Sequence, residues 1–246
     1  MFDALGRLNP AQREAVEHLG GPLLVVAGAG SGKTWTLACR VARLVDRGVR
    51  PERILLLTFT RRAAREMLSR AERLTGDRSL GRVWGGTFHG VANRLLRLHG
   101  RAIGVPADFT VLDRTDTADL MDLIRGELGL GQGKKRFPRK ETLADVYSRT
   151  VNAQERLTAV LERDFPWCAD ELEGIRAIFE GYTERKRGQR CLDYDDLLVY
   201  WRALAQAPGA GPRIAAAFDH VLVDEYQDTN ALQADILAAL KPDGEG

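Results

Sequence analysis

Short apolar runs alternate with amphipathic stretches over the first hundred residues. The runs are continuous, which is typical of strands that are buried on both faces of a parallel sheet. The amphipathic stretches carry apolar residues at helical spacing. These patterns predict strands at residues 23–27, 54–59, 83–88 and, much later, 220–223. They predict helices at residues 10–19 and 33–46, from about residue 61, and at residues 91–98.

The alternation of strands and helices stops near residue 113. From there to about residue 190 the pattern is almost entirely helical, apart from a Gly- and Lys-rich loop at residues 129–136. The sequence therefore predicts an α/β fold, a parallel sheet with helices on both faces, interrupted by an all-helical insertion. We place the α/β domain in residues 1–108 and 191–246, and the insertion in residues 109–190.

Composition adds little to this picture except in one region. The net charge is +2, and 44% of the residues are hydrophobic, which is ordinary for a soluble protein. Between residues 61 and 101, however, ten arginines stand against three acidic residues. Such a region is either a solvated basic surface or a face that contacts phosphate groups, and composition alone leaves both open.

The cysteines and the N-terminal residues indicate the cellular compartment of the protein. The three cysteines are an odd number without a CxxC spacing, so neither a disulfide framework nor a zinc site fits them. The first residues lack the apolar core of a signal peptide. No apolar run approaches the roughly 20 residues that span a bilayer. We expect a soluble, cytoplasmic protein without a membrane partner.

A glycine-rich segment lies between the predicted strand 23–27 and the helix 33–46. Glycines let backbone N–H groups approach a phosphate chain, and a helix N-terminus attracts its charge. Lys33 is expected to reach the β- and γ-phosphates, and the Thr34 hydroxyl to bind Mg²⁺. The alternative is a strand-to-helix turn that binds nothing. The full segment reads Ala27, Gly28, Ala29, Gly30, Ser31, Gly32, Lys33 and Thr34, with alanine where the strict P-loop pattern has its first glycine.

Two adjacent carboxylates follow the predicted strand 220–223. Asp224 and Glu225 would lie at the carboxyl edge of the sheet, beside the glycine-rich segment. Asp224 is expected to hold Mg²⁺ through water, and Glu225 to orient and deprotonate an attacking water. Alone, such a pair is usually a solvated turn. Together with the glycine-rich segment it favours nucleotide hydrolysis over binding alone.

Three segments resemble motifs of the UvrD/Rep/PcrA group of superfamily 1 DNA helicases. They are residues 224–230 (DEYQDTN), 27–34 (AGAGSGKT) and 8–13 (LNPAQR). The resemblance implies a RecA-like P-loop NTPase fold with ATP and Mg²⁺ as cofactors. It also implies that Gln12 hydrogen-bonds the adenine, and that Gln227 joins Glu225 and Lys33 in catalysis. Without the other motifs, Gln12 would be interpreted as an exposed helix residue.

Two further segments resemble the DNA-contacting motifs of the same group. Residues 58–67 (TFTRRAAREM) are similar to motif Ia, in which Thr58, Phe59 and the residues after them touch single-stranded DNA. Phe59 offers a base-stacking face, and Arg61 or Arg62 offers phosphate contacts. Residues 87–90 (TFHG) resemble motif Ib, which makes His89 a further candidate. The alternatives are a core role for Phe59 and a structural role for His89.

Residues 192–198 (LDYDDLL) resemble the family segment in which the insertion rejoins the first domain; the alternative for their acids is a simple capping role at the start of the next helix. The sequence departs from the family in other places. Trp35 stands where the family has an arginine near the base, and its indole is a candidate for stacking on adenine. Arg61 stands where the family has asparagine, which moves that contact toward phosphate.

The chain ends before the family's next strand and its Gly-Asp-x-x-Gln motif. We therefore expect a longer protein in which a second RecA-like domain carries the arginine fingers. The resemblance implies ATP hydrolysis coupled to 3′→5′ movement along single-stranded DNA, with junctions of single and double strands as substrates. A non-catalytic nucleotide- or DNA-binding module is the alternative for this chain alone. A P-loop kinase would leave the DNA-contacting motifs without a purpose. The pathway, the oligomeric state and the partner proteins stay open.

Overall fold

A computed structural model describes residues 6–131 and 137–244. In the first part of the chain the elements are α1 (Pro10–Glu17), α2 (Lys33–Asp46), β1 (Ile54–Thr58), α3 (Arg61–Thr75), β2 (Trp84–Thr87) and α4 (Phe88–His99). The middle contains β3 (Thr110–Val111), α5 (Arg114–Glu127), α6 (Lys140–Ala153), α7 (Leu157–Asp164), α8 (Leu172–Gln189) and β4 (Cys191–Leu192). The last part contains α9 (Tyr194–Gln206), α10 (Gly211–Ala215), β5 (His220–Val223) and α11 (Ala231–Leu240).

The main sheet has three parallel strands in the order β2, β1, β5. All five residues of the central strand β1 are buried, so both faces of the sheet are covered. A parallel crossover needs an intervening segment, and helices supply it between β1 and β2 and between β2 and β5. The predicted α/β fold with a parallel sheet is confirmed. The strand predicted at residues 220–223 is present with those bounds, and those predicted at residues 54–59 and 83–88 are present with slightly shorter bounds.

The strand predicted at residues 23–27 is wrong. These residues form no regular secondary structure, and four consecutive side chains from Leu23 to Val26 are between 43% and 88% exposed. A strand requires a neighbour that completes its hydrogen-bond ladder, and an apolar run supplies burial but not that neighbour. Within the described residues, the sheet pairs β1 with β2 and β5, and residues 23–27 pair with no strand.

Local capping chemistry marks several helix boundaries. Asn9 caps α1 by accepting a hydrogen bond from the backbone N–H of Gln12, and Pro10 occupies the first helical position. Thr60 caps α3 in the same way, accepting from the N–H of Ala63 at 3.1 Å. Gly76 ends α3 in the left-handed conformation that glycine favours. The helix predicted to end near residue 19 ends at Glu17 instead.

The chain divides into two compact units. Unit 1 consists of residues 1–91, 205–229 and 237–246, and unit 2 consists of residues 92–204 and 230–236. The core of unit 1 packs α2 and α3 on β1 through residues such as Cys39, Val41, Ile54, Leu56 and Met67. The predicted boundaries at residues 108 and 191 differ from those of the compact units, and the division into domains stays a prediction.

Unit 2 is mostly helical, as predicted for the middle of the chain. Its core brings together side chains of α5, α6, α7 and α8, among them Met121, Leu143, Val146, Leu161, Ile175, Ile178 and Tyr182. The two-residue strands β3 and β4 pair in parallel within it. Part of the predicted loop 129–136 lies outside the described residues. Among the helices described, none is long and apolar enough to cross a membrane.

Candidate functional site

The glycine-rich segment closes on itself. The Ser31 hydroxyl donates a hydrogen bond to the Gly28 carbonyl oxygen at 2.8 Å. Gly30 and Gly32 have φ angles of 75° and 86°, in the left-handed region that only glycine adopts readily. Gly32 is the N-cap of α2, so the segment leads directly into a helix N-terminus. An exposed glycine-rich loop with a helix N-terminus behind it suits a phosphate chain.

Gln12 holds this segment in place. Its side-chain nitrogen donates to the Ser31 carbonyl oxygen at 2.9 Å, and its side-chain oxygen accepts from the Asn9 N–H at 3.0 Å. A Cβ atom on residue 32 would lie 2.9 Å from the Gln12 side-chain nitrogen, so Gly32 makes room for the contact. The sequence did not predict this link between Gln12 and the loop. The expected contact of Gln12 with adenine stays a prediction.

Lys33 lies between the glycine-rich segment and the carboxylates after β5. Its Nζ donates to the Ala27 carbonyl oxygen at 3.1 Å and lies 3.8 Å from Oε2 of Glu225. The two side chains are 32% and 38% exposed, and an ion pair this open is worth about 1 kcal/mol or less. An incoming phosphate group can therefore displace the Glu225 carboxylate from Lys33 at little cost in free energy. The structure brings together the lysine and the glutamate that the sequence singled out.

Asp224 and Glu225 lie at the carboxyl edge of the sheet. The Asp224 N–H donates to the Leu57 carbonyl oxygen at 2.9 Å, which extends the ladder between β1 and β5 by one residue. Glu225 has φ 50° and ψ 48°, a left-handed conformation that is uncommon outside glycine and costs free energy. The Gln227 side-chain nitrogen donates to the Glu225 carboxylate. Gln227 therefore restrains the side chain that the sequence predicts to be catalytic.

The donor set fits a magnesium ion that is shared with a nucleotide. Burial raises the pKa of Asp224, and the adjacent Glu225 carboxylate raises it further. A divalent cation would relieve this concentration of negative charge. The Asp224 carboxylate and the Thr34 hydroxyl offer the oxygen ligands that Mg²⁺ prefers. Across the described residues, no group of three or more His, Cys, Asp or Glu side chains could hold a metal alone. Phosphate oxygens and water would have to complete the coordination.

Trp35 belongs to the core of unit 1 more than to its surface. The indole is half-buried and packs against the core that α2 shares with β1. Large aromatic side chains commonly contribute to packing in this way. Stacking of Trp35 on adenine stays a prediction that this packing does not test.

The residues expected to contact DNA surround the end of β1. Phe59 is 45% exposed, and both Arg61 and Arg62 are exposed in the first turn of α3. Thr58 is buried, and its hydroxyl donates to the Thr60 carbonyl oxygen at 2.8 Å. An exposed aromatic ring followed closely in the chain by two exposed arginines suits a single strand of nucleic acid. The side chain of Thr58 shapes the turn that presents them, and its own contact with DNA stays a prediction.

His89 is the second residue of α4. It is half-buried, and burial lowers the pKa of its imidazole. The ring is therefore neutral at physiological pH and offers a hydrogen bond, not a positive charge. The preceding turn is fixed by the Thr87 hydroxyl, which accepts from the Gly90 N–H at 3.1 Å. A DNA contact of His89 stays a prediction.

The acidic segment 192–198 has two roles, of which the sequence predicted one. Asp193 accepts from the Asp196 N–H at 2.7 Å, and Asp196 accepts from the Asp193 N–H at 3.0 Å, which caps α9 as predicted. Both carboxylates also accept from Nζ of Lys186 at 2.5 Å, and Lys186 is 2% exposed. The sequence signal for this second role is the helical spacing of Lys186, which lies on the same face of α8 as the buried Ile178 and Tyr182.

Comparison with known proteins agrees with these motifs. The model of the family described as "UvrD/REP helicase N-terminal domain" matches residues 8–245. The chain belongs to this family. The resemblance that the motifs carried is therefore confirmed at the level of the family.

Several curated relatives are ATP-dependent DNA helicases. UvrD1 of Mycobacterium leprae (strain TN) is 39% identical over 234 residues, which cover 93% of this chain and 29% of the relative. PcrA of Leuconostoc citreum is 38% identical over 237 residues, covering 95% and 31%. PcrA of Staphylococcus aureus (strain Mu50 / ATCC 700699) is 34% identical over 239 residues, covering 96% and 32%. The chain thus spans about a third of the length of these relatives.

Proposed function

We propose that this chain binds Mg²⁺-ATP as the nucleotide-binding part of a longer, DNA-dependent ATPase. The observation that carries the proposal is the distance of 3.8 Å between Lys33 Nζ and the Glu225 carboxylate. A phosphate-binding lysine and a carboxylate able to activate water are the two groups that γ-phosphate hydrolysis needs in one place. Gln12 supports the loop between them.

Each residue has a distinct role in this proposal. Lys33 and the backbone N–H groups of residues 28–34 neutralise and orient the phosphates. Thr34 and Asp224 hold Mg²⁺, which supplies charge stabilisation when it is bound. Glu225 accepts a proton from the attacking water, and Gln227 keeps its carboxylate oriented. These roles agree with the names of the relatives, which are ATP-dependent DNA helicases.

The second part of the proposal is single-stranded DNA as the partner. Phe59, Arg61 and Arg62 form one exposed group at the end of β1, and β1 also pairs with β5, the strand that Asp224 directly follows. A base that stacks on Phe59 would thus be held by the strand that neighbours the nucleotide site. In the longer protein we propose that this contact couples ATP hydrolysis to 3′→5′ translocation and unwinding of junctions.

The exposed segment from Leu23 to Val26 supports a longer protein. Four consecutive apolar side chains on a surface are unfavourable, and exposed apolar patches usually mark a site of contact. We propose that sequence beyond this chain covers the segment. A second RecA-like domain would also supply the arginine fingers, which can contribute roughly 10³–10⁵ in rate. We therefore expect this chain alone to hydrolyse ATP far more slowly than the longer protein.

A coupled ATPase assay tests the proposal directly. It compares this chain with the longer protein, each with and without single-stranded DNA. We expect DNA-stimulated turnover by the longer protein and little turnover by the chain. A longer protein that binds nucleotide and DNA but shows no turnover would favour a non-catalytic binding module. Fast, DNA-stimulated turnover by the chain itself would contradict the proposal that a second domain supplies the arginine fingers.

A further inference from the structure

Arg40 of α2 holds the C-terminal end of α1. Its Nη1 donates to the Ala15 carbonyl oxygen at 2.7 Å and to the His18 carbonyl oxygen at 2.9 Å. The last carbonyl groups of a helix lack an N–H partner within the helix and form the negative end of its dipole. The last turn of α1 contains no basic residue of its own. Arg40 therefore supplies, from a neighbouring helix, the cation that this helix end lacks.

The Arg40 guanidinium is held by carbonyl groups and not by a carboxylate of α1. The side chain is half-buried, and burial lowers its pKa, which the nearby charge of Arg47 lowers further. Glu17, the last residue of α1, pairs instead with Arg43 and Arg47. Burying a cation costs free energy unless hydrogen bonds offset it. The two bonds to α1 are thus the contacts that stabilise Arg40 in this position.

The short helix α1 depends on such contacts for its direction. It has eight residues, and a helix of this length is marginal without tertiary contacts. Val16 of α1 shares a buried core with Cys39 and Val41 of α2. Apolar packing of this kind is non-directional, whereas two hydrogen bonds from one guanidinium restrict how α1 can turn on α2. Both helices belong to unit 1.

The first turn of α1 carries Gln12. Its amide nitrogen donates to the Ser31 carbonyl oxygen at 2.9 Å, and its amide oxygen accepts from the Asn9 N–H at 3.0 Å. One amide hydrogen and one lone pair of the oxygen remain for a ligand. Because α2 begins at Lys33, directly after the glycine-rich loop, α1 is tied to α2 at both ends. Without Arg40, α1 could pivot about the contact with Ser31 and turn the Gln12 amide.

We propose that Arg40 is a positioning residue, which sets the preference of the nucleotide site for adenine by fixing the direction of α1 and of Gln12. This inference rests on the nucleotide site proposed above and on the predicted contact of Gln12 with adenine. A glutamine amide can pair with N6 and N7 of adenine, and guanine has an acceptor where adenine has its N6 donor. The preference therefore depends on the direction of the amide, whereas phosphate binding through Lys33 does not.

The test compares the affinities of the 246-residue chain for mant-ATP and mant-GTP in MgCl₂. Both nucleotides carry the same fluorophore on the ribose and the same phosphates, so the ratio of the two dissociation constants reports the base alone. We expect the parent to prefer mant-ATP. Arg40→Met keeps a long side chain but removes both hydrogen bonds to α1, and it should lower this preference about fivefold, the effect of one hydrogen bond. Gln12→Ala should remove most of the preference.

A double variant and two single variants separate positioning from simple destabilisation. If Arg40 acts through Gln12, adding Arg40→Met to Gln12→Ala should lower the preference no further. Arg40→Lys keeps a cationic donor near the end of α1 and should retain more of the preference than Arg40→Met. Arg47→Met removes a partly exposed ion pair with Glu17 of the same helix, and as the matched control it should keep the preference of the parent.

The outcomes distinguish this inference from the proposed function. A parent that prefers mant-ATP, with the same preference in Arg40→Met, contradicts the role of Arg40 alone. An equal loss in Arg47→Met also contradicts it, because any loosening of α1 would then suffice. A further loss in the double variant contradicts action through Gln12.

The parent chain itself supplies the remaining outcomes. Equal binding of both nucleotides by the parent contradicts the adenine contact and the role of Arg40, while the phosphate site stands. A parent that binds neither nucleotide contradicts the nucleotide site and this inference together. Melting curves by circular dichroism identify any variant that has lost its fold, and if Arg40→Met is one of them, the preference of Arg40→Lys decides: an undiminished preference contradicts the role of Arg40.

Discussion

Lys33 Nζ lies 3.8 Å from Oε2 of Glu225, across the gap between the glycine-rich loop and the end of β5. The two residues are almost two hundred positions apart in the chain: Lys33 is the first residue of α2, and Glu225 follows β5 at the carboxyl edge of the sheet. Without a nucleotide, each charge partly neutralises the other. When a nucleotide is bound, one of its phosphate groups would pair with Lys33 and leave the Glu225 carboxylate free to accept a proton.

This pairing predicts a separation between binding and hydrolysis. Glu225→Gln keeps the hydrogen-bonding shape of the side chain but removes the base and the attraction for Lys33. In the longer protein we expect DNA-stimulated ATP hydrolysis to be lost. Affinity for Mg²⁺-nucleotide should stay equal or rise slightly, since an exposed ion pair is worth at most about 1 kcal/mol. Parallel ATPase and nucleotide-binding assays check this. A variant with weakened binding and normal turnover would contradict the assigned role.

The exposed group at the end of β1 predicts a salt-dependent affinity for single-stranded DNA. Replacing Arg61 and Arg62 with alanine removes two phosphate contacts. The slope of log K against log salt should become shallower by roughly 1.4, because each contact on a single strand contributes about 0.7. Fluorescence anisotropy with a labelled oligonucleotide measures the slope. Arg73→Ala, on the last turn of the same helix, is the matched control and should change the slope little.

Phe59 should contribute through stacking and not through charge. Phe59→Ala is expected to weaken binding of single-stranded DNA by about 1–3 kcal/mol at every salt concentration and to leave the slope unchanged. Phe59→Trp should retain the affinity because it keeps a stacking face. The same anisotropy titration, repeated at several salt concentrations, separates this effect from that of the arginines. Equal binding by Phe59→Ala and the parent would assign the ring to packing alone.

We expect Asp195 to make the stability of the fold decrease as the pH rises. Burial raises its pKa to about 6, and the charges of Asp193 and Asp196 add to the rise. Because the folded protein then holds the proton more tightly than the unfolded chain, this group stabilises the fold below about pH 4. That contribution is lost as the pH rises through 6, by up to about 3 kcal/mol. Asp195→Asn should flatten this part of the curve of unfolding free energy against pH. Urea unfolding from about pH 4 to 7 measures it, and an unchanged curve would contradict the assignment.

The buried ammonium group of Lys186 is expected to stabilise the fold. Burial by itself lowers the pKa of Lys186, but the carboxylates of Asp193 and Asp196 outweigh it and the pKa is raised. Lys186→Met would leave two buried carboxylates without their cation and should destabilise the fold by about 3–5 kcal/mol. Chemical denaturation detects this easily. A triple change to Met, Asn and Asn at residues 186, 193 and 196 should recover part of the loss, because no uncompensated charge remains.

Much of the fold could be predicted because its signals are local. The strand β1 is a continuous apolar run, and Asn9 with Pro10 marks a helix start by capping chemistry alone. Residues 23–27 carry the same apolar signal and form no strand, because pairing depends on a neighbour that no local pattern encodes. Local signals therefore identify a candidate strand, and only the tertiary structure decides whether it is paired.

The candidate site divides in the same way. Lys33, Asp224 and Glu225 could be predicted because each sits at a fixed offset from an element of regular structure. The hydrogen bond from the Gln12 side chain to the Ser31 carbonyl oxygen could not, because it joins residues 19 positions apart with no shared spacing. The buried pairing of Lys186 depends likewise on how α8 meets the start of α9. Sequence motifs thus identify the chemical groups, and packing determines what holds them in place.

The most direct test of the account is binding of Mg²⁺-nucleotide to the 246-residue chain and to its Lys33→Ala variant. Fluorescence titration with mant-ATP measures both, and circular dichroism confirms that both are folded. We expect the parent to bind and Lys33→Ala to lose most of its affinity, because the ammonium group is the main positive charge offered to the phosphates. Arg47→Ala, at the other end of α2, should bind like the parent. Equal binding by Lys33→Ala and the parent would contradict the account, since the nucleotide would then occupy a different site.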